Sequence, residues 1–293
     1  TLVQAHVIRG TAAWIVVGGA RVQPAEFMKV ALVIVLARII AGGRGRLSWR
    51  RLIAALLALL IPSALILRQP DLGTVVLLGS VTIGMLAIAG LSRRQWLVLL
   101  GGGAVLSVLA WNFFLVDYQK QRFSVFLDPE RDPHGAGYTI LQARTAFGSG
   151  GLTGRGLGWG PQSRLNFLPE VHTDFVFARI GEELGLVGVT VTLVLFAVVF
   201  SRMIRAGVRT SDPFGRALAV GGCLTVLTGL FVNAGMNVGL LPVTGIPLPF
   251  LSYGGSGLLS SFILLGIAES VVLHGERWGS VDVEESLLIE AHA

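Results

Sequence analysis

Two apolar runs joined by an arginine-rich loop occupy residues 25–67, which read AEFMKVALVIVLARIIAGGRGRLSWRRLIAALLALLIPSALIL. A helix needs about 17 to 25 mostly apolar residues to cross the hydrocarbon layer of a membrane. Residues 25–41 and 51–67 both reach that length. Because a backbone in lipid must satisfy its own hydrogen bonds, each run is predicted to be helical. Further runs of this kind lie near residues 72–91, 95–116, 183–201, 217–241 and 250–273. The sequence therefore predicts an all-α, polytopic transmembrane helix bundle.

The composition supports this fold class. Of the 293 residues, 53% are hydrophobic and only 14% are charged, whereas a soluble domain has about 25% charged residues. These values exclude a soluble enzyme, a disordered tail and a disulfide scaffold. With one cysteine, Cys223, and five histidines, neither an intrachain disulfide nor a structural zinc site is expected. In so apolar a chain, the net charge of +6 indicates the cytoplasmic ends of helices rather than a nucleic-acid surface.

The arginines predict the orientation in the membrane. They are concentrated in the loops after the first, third and fifth runs, and the intervening short loops have few of them. By the positive-inside rule the arginine-rich loops face the cytoplasm, and so does the C-terminus. Residues 1–24, 68–71, 117–182 and 242–249 then lie outside. The arginines concerned are Arg44, Arg46, Arg50, Arg51, Arg93, Arg94, Arg202, Arg205, Arg209 and Arg216.

Two segments differ in composition from the predicted spans. Residues 117–182 are polar but carry interspersed aromatic residues, so we expect an ordered extracytoplasmic region, with a partial or re-entrant helix near 137–149. The multi-span membrane domain is predicted to cover residues 1–278. Residues 279–293 turn acidic after a Gly-Ser-Val-Asp sequence that resembles a cloning junction. We interpret them as an artificial tail, and a natural acidic tail is the alternative.

Glu26 and Lys29 are three residues apart on one helical face, at the outer entrance of the first run. Ionisable groups in a membrane span are costly, and they usually face a protein interior or a wet cavity. We interpret the pair as the polar floor of a site that opens to the outside. The alternative is a helix-end pair that extends to the interface.

Carboxylates also mark two predicted helix starts. Asp71 follows Pro70, where a carboxylate caps free N–H groups, and Arg68 is close enough in sequence to pair with it. Asp174 lies between the polar segment and an apolar run, where partial desolvation would raise its pKa and make it a better base. The alternative for Asp174 is a helix N-cap. Glu182 and Glu183 are a second source of carboxylates, and a metal pair formed by His172 and Asp174 lacks further spaced ligands.

A glycine-rich stretch, residues 148–160, reads GSGGLTGRGLGWG. Glycines let backbone N–H groups approach an anion closely, and arginine forks match phosphate oxygens. Arg144, Arg155 and Arg164 precede, interrupt and follow the stretch. A pyrophosphate site and a flexible turn are both consistent with this pattern.

The run from Asn237 to Ser256, NVGLLPVTGIPLPFLSYGGS, resembles the signature of the SEDS family (shape, elongation, division and sporulation). Other blocks of that family match in the family's order. Within the family, YQKQR at 118–122 and FLPE at 167–170 resemble the elongation type, RodA, more than the division type. The matching blocks are QPAE at 23–26, QPDLGT at 69–74, FLDP at 126–129 and LPEVHTDF at 168–175.

The resemblance implies a fold of ten transmembrane helices, of which the first two are absent from this sequence. It also implies a peptidoglycan glycosyltransferase, a hexosyltransferase that polymerises lipid II on the outer face of the bacterial cytoplasmic membrane during cell-shape and cell-wall synthesis. The implied partner, besides membrane lipids, is a class B penicillin-binding protein, which is a transpeptidase. A lipid II flippase and a non-catalytic cell-wall scaffold are the alternatives. A flippase would need polar groups at several membrane depths, and here they gather near the outer face.

The family's essential aspartate falls on Asp174, which the resemblance makes the general base. The leaving group is undecaprenyl pyrophosphate, which needs neutralisation of its charge more than a proton. A divalent cation, magnesium or manganese, is an alternative source of positive charge. Ser252 belongs to the signature and is expected near the substrate. The complete expected substrate and pyrophosphate site comprises Glu26, Lys29, Arg68, Asp71, Arg144, Arg155, Arg164 and Ser252.

Overall fold

The computed structural model describes residues 6–8, 11–17, 20–43, 45–133, 135–165 and 167–290, with the side chains of 6–13, 17, 20, 114 and 275–290 outside the description. Three short antiparallel strands come first, in the order β1-β2-β3: β1 (His6–Ile8), β2 (Thr11–Val17) and β3 (Ala20–Val22). The helices are α1 (Pro24–Ala41), α2 (Trp49–Leu67), α3 (Leu72–Ile88), α4 (Arg93–Leu109), α5 (Asp117–Leu127), α6 (Ala136–Ser149), α7 (Pro161–Arg164), α8 (Val176–Arg209), α9 (Pro213–Asn237) and α10 (Gly255–Glu290).

The helix bundle that the sequence predicts is confirmed. Among the residues that the structure describes, five helices are long and apolar enough to cross a membrane: α2, α4 with the π-helical turn that follows it, α8, α9 and α10. The other two predicted spans are helical as well, but α3 has only 17 residues, and α1 includes Glu26, Lys29 and Arg38. The last run was predicted to begin at residue 250, but its helix, α10, begins five residues later, at Gly255. Residues 242–254 form a loop instead, in which three prolines lack the N–H that a helix needs.

Helix α9 lies at the centre of the bundle. In its most apolar 18-residue window 56% of the residues are buried, compared with 6% for α4 and its following turn. The main apolar core joins α1, α2 and α3 to α9 and α10, and a second cluster joins α8, α9 and the loop after α9. Side chains on α9 can therefore reach both the first and the last helices of the bundle.

The loops between the helices lie at two opposite ends of the bundle. A cavity of about 250 Å³ is lined by Gly43 and Gly45 of the first arginine-rich loop, by Ala89 before the second and by Pro213 and Arg216 after the third. These loops therefore lie at one end, as the alternation of arginines predicts. At the other end, Gln23 N–H donates to Ser256 Oγ at 3.0 Å, and the Tyr118 hydroxyl donates to the Pro70 carbonyl at 2.7 Å.

The described residues of the polar segment 117–182 include several helices, in agreement with the expected ordered region. It contains α5, a 3₁₀ turn at Pro129–Arg131, α6 and α7. Helix α6 agrees with the partial helix predicted near 137–149, and its Ala143 and Ala146 pack on Phe175 and Ala178 at the start of α8. The segment is thereby fixed to the end of the bundle where Ser256 and Pro70 lie.

Candidate functional site

Asp174 lies two residues before α8, in a turn closed by hydrogen bonds from Thr173 N–H and Asp174 N–H to the Glu170 carbonyl, both at 3.1 Å. The residue is half-buried. Phe175 occupies the N-cap position of α8 without a side-chain cap bond, so the alternative that Asp174 caps this helix is wrong. Asp174 lies one residue before that N-cap position.

Three successive backbone carbonyls around Asp174 are each held by a hydrogen bond from another element. The His172 carbonyl accepts from Tyr253 N–H at 2.8 Å, and the Thr173 carbonyl accepts from the Ser252 hydroxyl. The Asp174 carbonyl accepts from two asparagine side chains of α9, each at 3.0 Å. These bonds fix the path of the backbone without using the Asp174 carboxylate.

The Asp174 carboxylate faces the loop that joins α9 to α10. A Cβ atom placed on Gly245 would lie 3.7 Å from Asp174 Oδ2, and Gly245 has a φ of +74° that favours glycine. On one side of Gly245 the loop borders an apolar groove, and on the other side it borders a polar cavity. Asp174 is thus next to Gly245, the loop residue that separates the segments lining the two cavities.

The apolar groove has a volume of about 220 Å³. Its walls come from the start of α3, from α5 and from residues 241–244. At its edge the Arg122 guanidinium donates to the Val243 carbonyl at 3.2 Å and lies over the Tyr118 ring, 5.4 Å from its centroid. The groove combines an apolar interior with one exposed cationic group.

The polar cavity contains the Glu26–Lys29 pair. Lys29 Nζ lies 2.7 Å from Glu26 Oε2, and the two side chains are only 5% and 9% exposed. Ser260 Oγ donates to Glu26 Oε2 at 3.0 Å, and Ser252 also lines the cavity, whose volume is about 30 Å³, space for one or two water molecules. The pair faces the protein interior, so the alternative of an interfacial helix-end pair is wrong.

Asp71 has a structural role. Its carboxylate accepts from Thr74 N–H at 3.0 Å and from the Thr74 hydroxyl at 2.6 Å, which makes it the N-cap of α3. Among the ion pairs of the described residues none joins Arg68 to Asp71, so that predicted pairing is wrong. Arg68 is exposed at the C-terminal end of α2.

The three arginines around the glycine-rich stretch have different partners. Arg144 Nη2 donates to the Gly239 carbonyl just beyond α9 at 2.9 Å, and Arg155 Nε donates to the Ser149 carbonyl at the end of α6 at 2.9 Å. The Arg164 guanidinium lies over the Trp159 ring, 5.1 Å from its centroid. The contacts tie each arginine to a separate part of the outer region, and their roles in binding pyrophosphate stay predictions.

The glycine-rich stretch fills a break in α8. Gly185 has non-helical angles, φ 63° and ψ −160°. The carbonyls of Glu182 and Glu183, which the break frees, accept from Arg155 N–H and Gly156 N–H, both at 2.9 Å. Beyond the break, Leu186 N–H donates to the Gly151 carbonyl at 2.9 Å. Two of its N–H groups thus bind α8, and pyrophosphate binding by the rest of the stretch stays a prediction.

We expect Gly154→Ala to destabilise this junction. Gly154 has a φ of +82°, and a Cβ there would lie 2.2 Å from the Glu183 carbonyl oxygen. The left-handed conformation costs roughly 1–3 kcal/mol for a residue other than glycine, and the clash adds to it. Gly158→Ala is the matched control, since Gly158 has a φ of +73° with open space around it. Thermal unfolding in detergent should show the larger loss for Gly154→Ala, and equal losses would contradict the proposed junction.

Glu182 is fully buried, and its carboxylate accepts from Gln162 N–H at 2.8 Å, from Ser163 N–H at 3.1 Å and from the Ser163 hydroxyl. Glu183 pairs with Arg179, whose other side contacts His172. Both carboxylates therefore stabilise the outer segment. Within the described part of the chain, no three His, Cys, Asp or Glu side chains are grouped so that they can hold a metal ion.

Sequence reasoning missed the roles of Asn233 and Asn237, the two asparagines that hold the Asp174 carbonyl. Both are fully buried in the central helix α9. Their signal is present in the sequence, because two amides four residues apart in an apolar helix lie on one face and need polar partners. The identity of those partners depends on the long-range fold.

Residues 1–276 match the family model FTSW_RODA_SPOVE, described as cell cycle protein. The chain is 42% identical over 273 residues to peptidoglycan glycosyltransferase MrdB of Escherichia coli (strain K12), with 92% of this chain and 72% of MrdB covered. It is 41% identical over 268 residues to the probable peptidoglycan glycosyltransferase FtsW of Trichlorobacter lovleyi, with 89% of this chain and 68% of that protein covered.

Two solved structures resemble this one along most of its length. One is a chain from a study of how a peptidoglycan synthase complex coordinates polymerization and crosslinking; it has a TM-score of 0.77 at 31% identity, with 94% of this chain and 77% of that chain covered. The other is the rod shape determining protein RodA of Thermus thermophilus, with a TM-score of 0.64 at 28% identity; the match covers 94% of this chain and 73% of that chain.

Proposed function

Since the chain belongs to the FtsW, RodA and SpoVE family of cell cycle proteins, the SEDS family that its motifs resemble, we propose that it is a peptidoglycan glycosyltransferase with Asp174 as its general base. The substrate in this proposal is lipid II. The observation that carries the assignment of the base is the position of Asp174: a half-buried carboxylate next to Gly245, on a backbone held at three successive carbonyls.

The chemistry requires one base and one good leaving group. Asp174 takes the proton from a sugar hydroxyl of the acceptor. As the proton leaves, the hydroxyl oxygen attacks the anomeric carbon of the donor. The bond between that carbon and the diphosphate oxygen breaks, and the undecaprenyl diphosphate leaves with the electron pair. A positioned base of this kind contributes about 10²- to 10⁴-fold to the rate. The diphosphate leaves without a protonating acid, in contrast to the two-carboxylate glycoside hydrolases.

The apolar groove gives part of the substrate a place to bind. The apolar groove, which ends at Thr244 beside Gly245, is suited to isoprenoid units near the diphosphate, and the exposed Arg122 at its edge is suited to the diphosphate charge. Ser252 connects the polar cavity to the backbone of Thr173. Lys29 in that cavity is already paired with Glu26, so its role is to keep the cavity polar rather than to bind diphosphate directly.

A divalent cation is part of the proposal only as an ion carried by the substrate. The described residues form no cluster of three carboxylate, imidazole or thiolate ligands. Magnesium, in contrast, is commonly held by one or two carboxylates together with substrate phosphates. No step above depends on the metal.

The test is polymerisation of purified lipid II by the purified chain, followed by gel analysis of the glycan strands. We expect strands from the wild-type chain, with a higher yield when a class B penicillin-binding protein is added. If a cation carried by the substrate neutralises the diphosphate, treatment with a chelator should lower the yield, and added magnesium or manganese should restore it. Transfer of lipid II between the leaflets of a vesicle without strand formation would instead support a flippase. If the chain shows neither activity, the result would support a non-catalytic scaffold.

The partner and the orientation follow from the same proposal. One similar solved chain comes from work on a peptidoglycan synthase complex, and this supports a crosslinking transpeptidase as the partner. Five helices fit a multi-pass membrane protein. We place the end with the arginine-rich loops and the C-terminus in the bacterial cytoplasm, and Asp174 on the outer face, where glycan strands grow.

A further inference from the structure

Asn233 and Asn237 are one helical turn apart on α9, and both are fully buried. Amide side chains inside a membrane helix need hydrogen-bond partners, because an unpartnered polar group in such surroundings costs free energy. The partners of these two asparagines converge on the segment that carries the proposed base.

Four contacts define the arrangement. Nδ2 of Asn233 and Nδ2 of Asn237 each donate to the Asp174 carbonyl at 3.0 Å. Asn233 Nδ2 also donates to the Ile246 carbonyl at 2.8 Å. Asn237 Oδ1 accepts from Ala178 N–H at 2.9 Å, which is one of the N–H groups that the first turn of a helix leaves without an intrahelical partner.

We propose that Asn233 and Asn237 are positioning residues that set the rate of glycosyl transfer by orienting Asp174, an inference that rests on the proposed function. Neither amide is bonded to the Asp174 carboxylate in these contacts; both act on the carbonyl of the same residue. Two donors on that carbonyl occupy both of its lone pairs, so they fix the plane of the peptide and thereby the position of the Cα atom from which the carboxylate extends.

The arrangement also connects the base to the loop that it faces. Ile246, which accepts from Asn233, directly follows Gly245, and Gly245 is the residue next to the Asp174 carboxylate. One amide therefore holds both the segment that carries the carboxylate and the loop that it faces. An error of about 1 Å in the placement of a catalytic group can lower a rate by about 10²-fold.

The test uses Asn233→Ala and Asn237→Ala in the purified full chain, with lipid II as substrate. We expect kcat to fall by roughly 10- to 100-fold while KM changes by less than about twofold, because the cavities are left intact and only the base is displaced. Thr82→Val is the matched control. Thr82 is also fully buried, and its hydroxyl donates to the Leu78 carbonyl within α3 at 2.8 Å, away from the proposed site.

Asn237→Asp separates positioning from folding. The substitution keeps the size of the side chain and the oxygen that accepts from Ala178 N–H, so α8 retains its cap. It replaces the N–H donor directed at the Asp174 carbonyl by a second oxygen. The new oxygen also faces the Asn233 carbonyl and Asn233 Oδ1, to which Asn237 Nδ2 donates at 2.8 and 3.2 Å, so we expect a lower thermal unfolding temperature. The rate is therefore measured per folded chain recovered by size exclusion, well below that unfolding temperature. A lower kcat under these conditions still separates positioning from folding.

Three outcomes would contradict these expectations. Folded Asn variants with a kcat near that of the wild type, or a loss no larger than that of Thr82→Val or than the loss of folded protein, would overturn the positioning role. If Asp174→Asn is inactive in the same assay, such a result overturns only this inference. An active Asp174→Asn variant would overturn the proposed function and the positioning role together.

Discussion

Asp174→Asn is expected to lower the rate of lipid II polymerisation by about 10²- to 10⁴-fold, the usual contribution of a positioned general base. An amide has nearly the size of the carboxylate but cannot take a proton from a sugar hydroxyl at neutral pH. The contacts that fix this segment use the carbonyls of residues 172–174. The fold should therefore survive the substitution, and the loss should appear in kcat with an unchanged thermal unfolding temperature.

Glu130→Gln is the control for this experiment. Glu130 is an exposed carboxylate of the same outer segment, in the 3₁₀ turn Pro129–Arg131. The same chemical change there should leave polymerisation unaffected. If the folded Asp174→Asn chain makes glycan strands at the wild-type rate, the base has been assigned to the wrong residue.

Lys29→Met is expected to cost roughly 3–5 kcal/mol of stability, the usual effect of leaving one partner of a buried ion pair alone. Glu26 and Lys29 are 4% and 8% exposed, and the Ser260 hydroxyl supplies only one further bond to the remaining carboxylate. The double variant Glu26→Gln with Lys29→Met should recover most of that loss, because no isolated charge is left in the cavity. Unfolding in detergent, followed by intrinsic fluorescence, measures both values.

An exposed pair provides the comparison. Arg131 and Asp128 also lie three residues apart and 3.0 Å from each other, but their side chains are 66% and 48% exposed. Arg131→Met should cost no more than about 1 kcal/mol. Equal losses for Lys29→Met and Arg131→Met would show that the Glu26 pair is not buried as described. Polymerisation by the stable double variant then tests whether the polar cavity serves the reaction.

Local sequence features predicted the spans because length and apolarity decide whether a helix can cross a membrane. The start of α8 was placed seven residues late, at 183 instead of Val176. The predicted outer segment 117–182 included Glu182, whereas in the structure Glu182 is buried in α8 by partners 19 and 20 residues earlier in the chain. Charge alone does not reveal whether the fold will provide such partners.

In the candidate site, too, some features could be predicted from nearby residues, whereas others depend on long-range contacts. The resemblance in the run from 168 to 175 was sufficient to single out Asp174. The capping role of Asp71 could be deduced locally, since its partner is Thr74. The contacts of Arg144 with Gly239 and of Asn233 with Asp174 join residues 95 and 59 positions apart. Such contacts depend on how whole helices pack, which a pattern of residue types along one helix does not specify.

The hold on residues 172–174 is made through main-chain oxygens, which every amino acid possesses. Exchange of the His172 or Thr173 side chain leaves those four bonds chemically possible. Insertion or deletion of a single residue between Glu170 and Val176 would move every oxygen out of register with Tyr253, Ser252 and the asparagines. Natural and engineered variation in this stretch should consequently be permissive in residue type and strict in length.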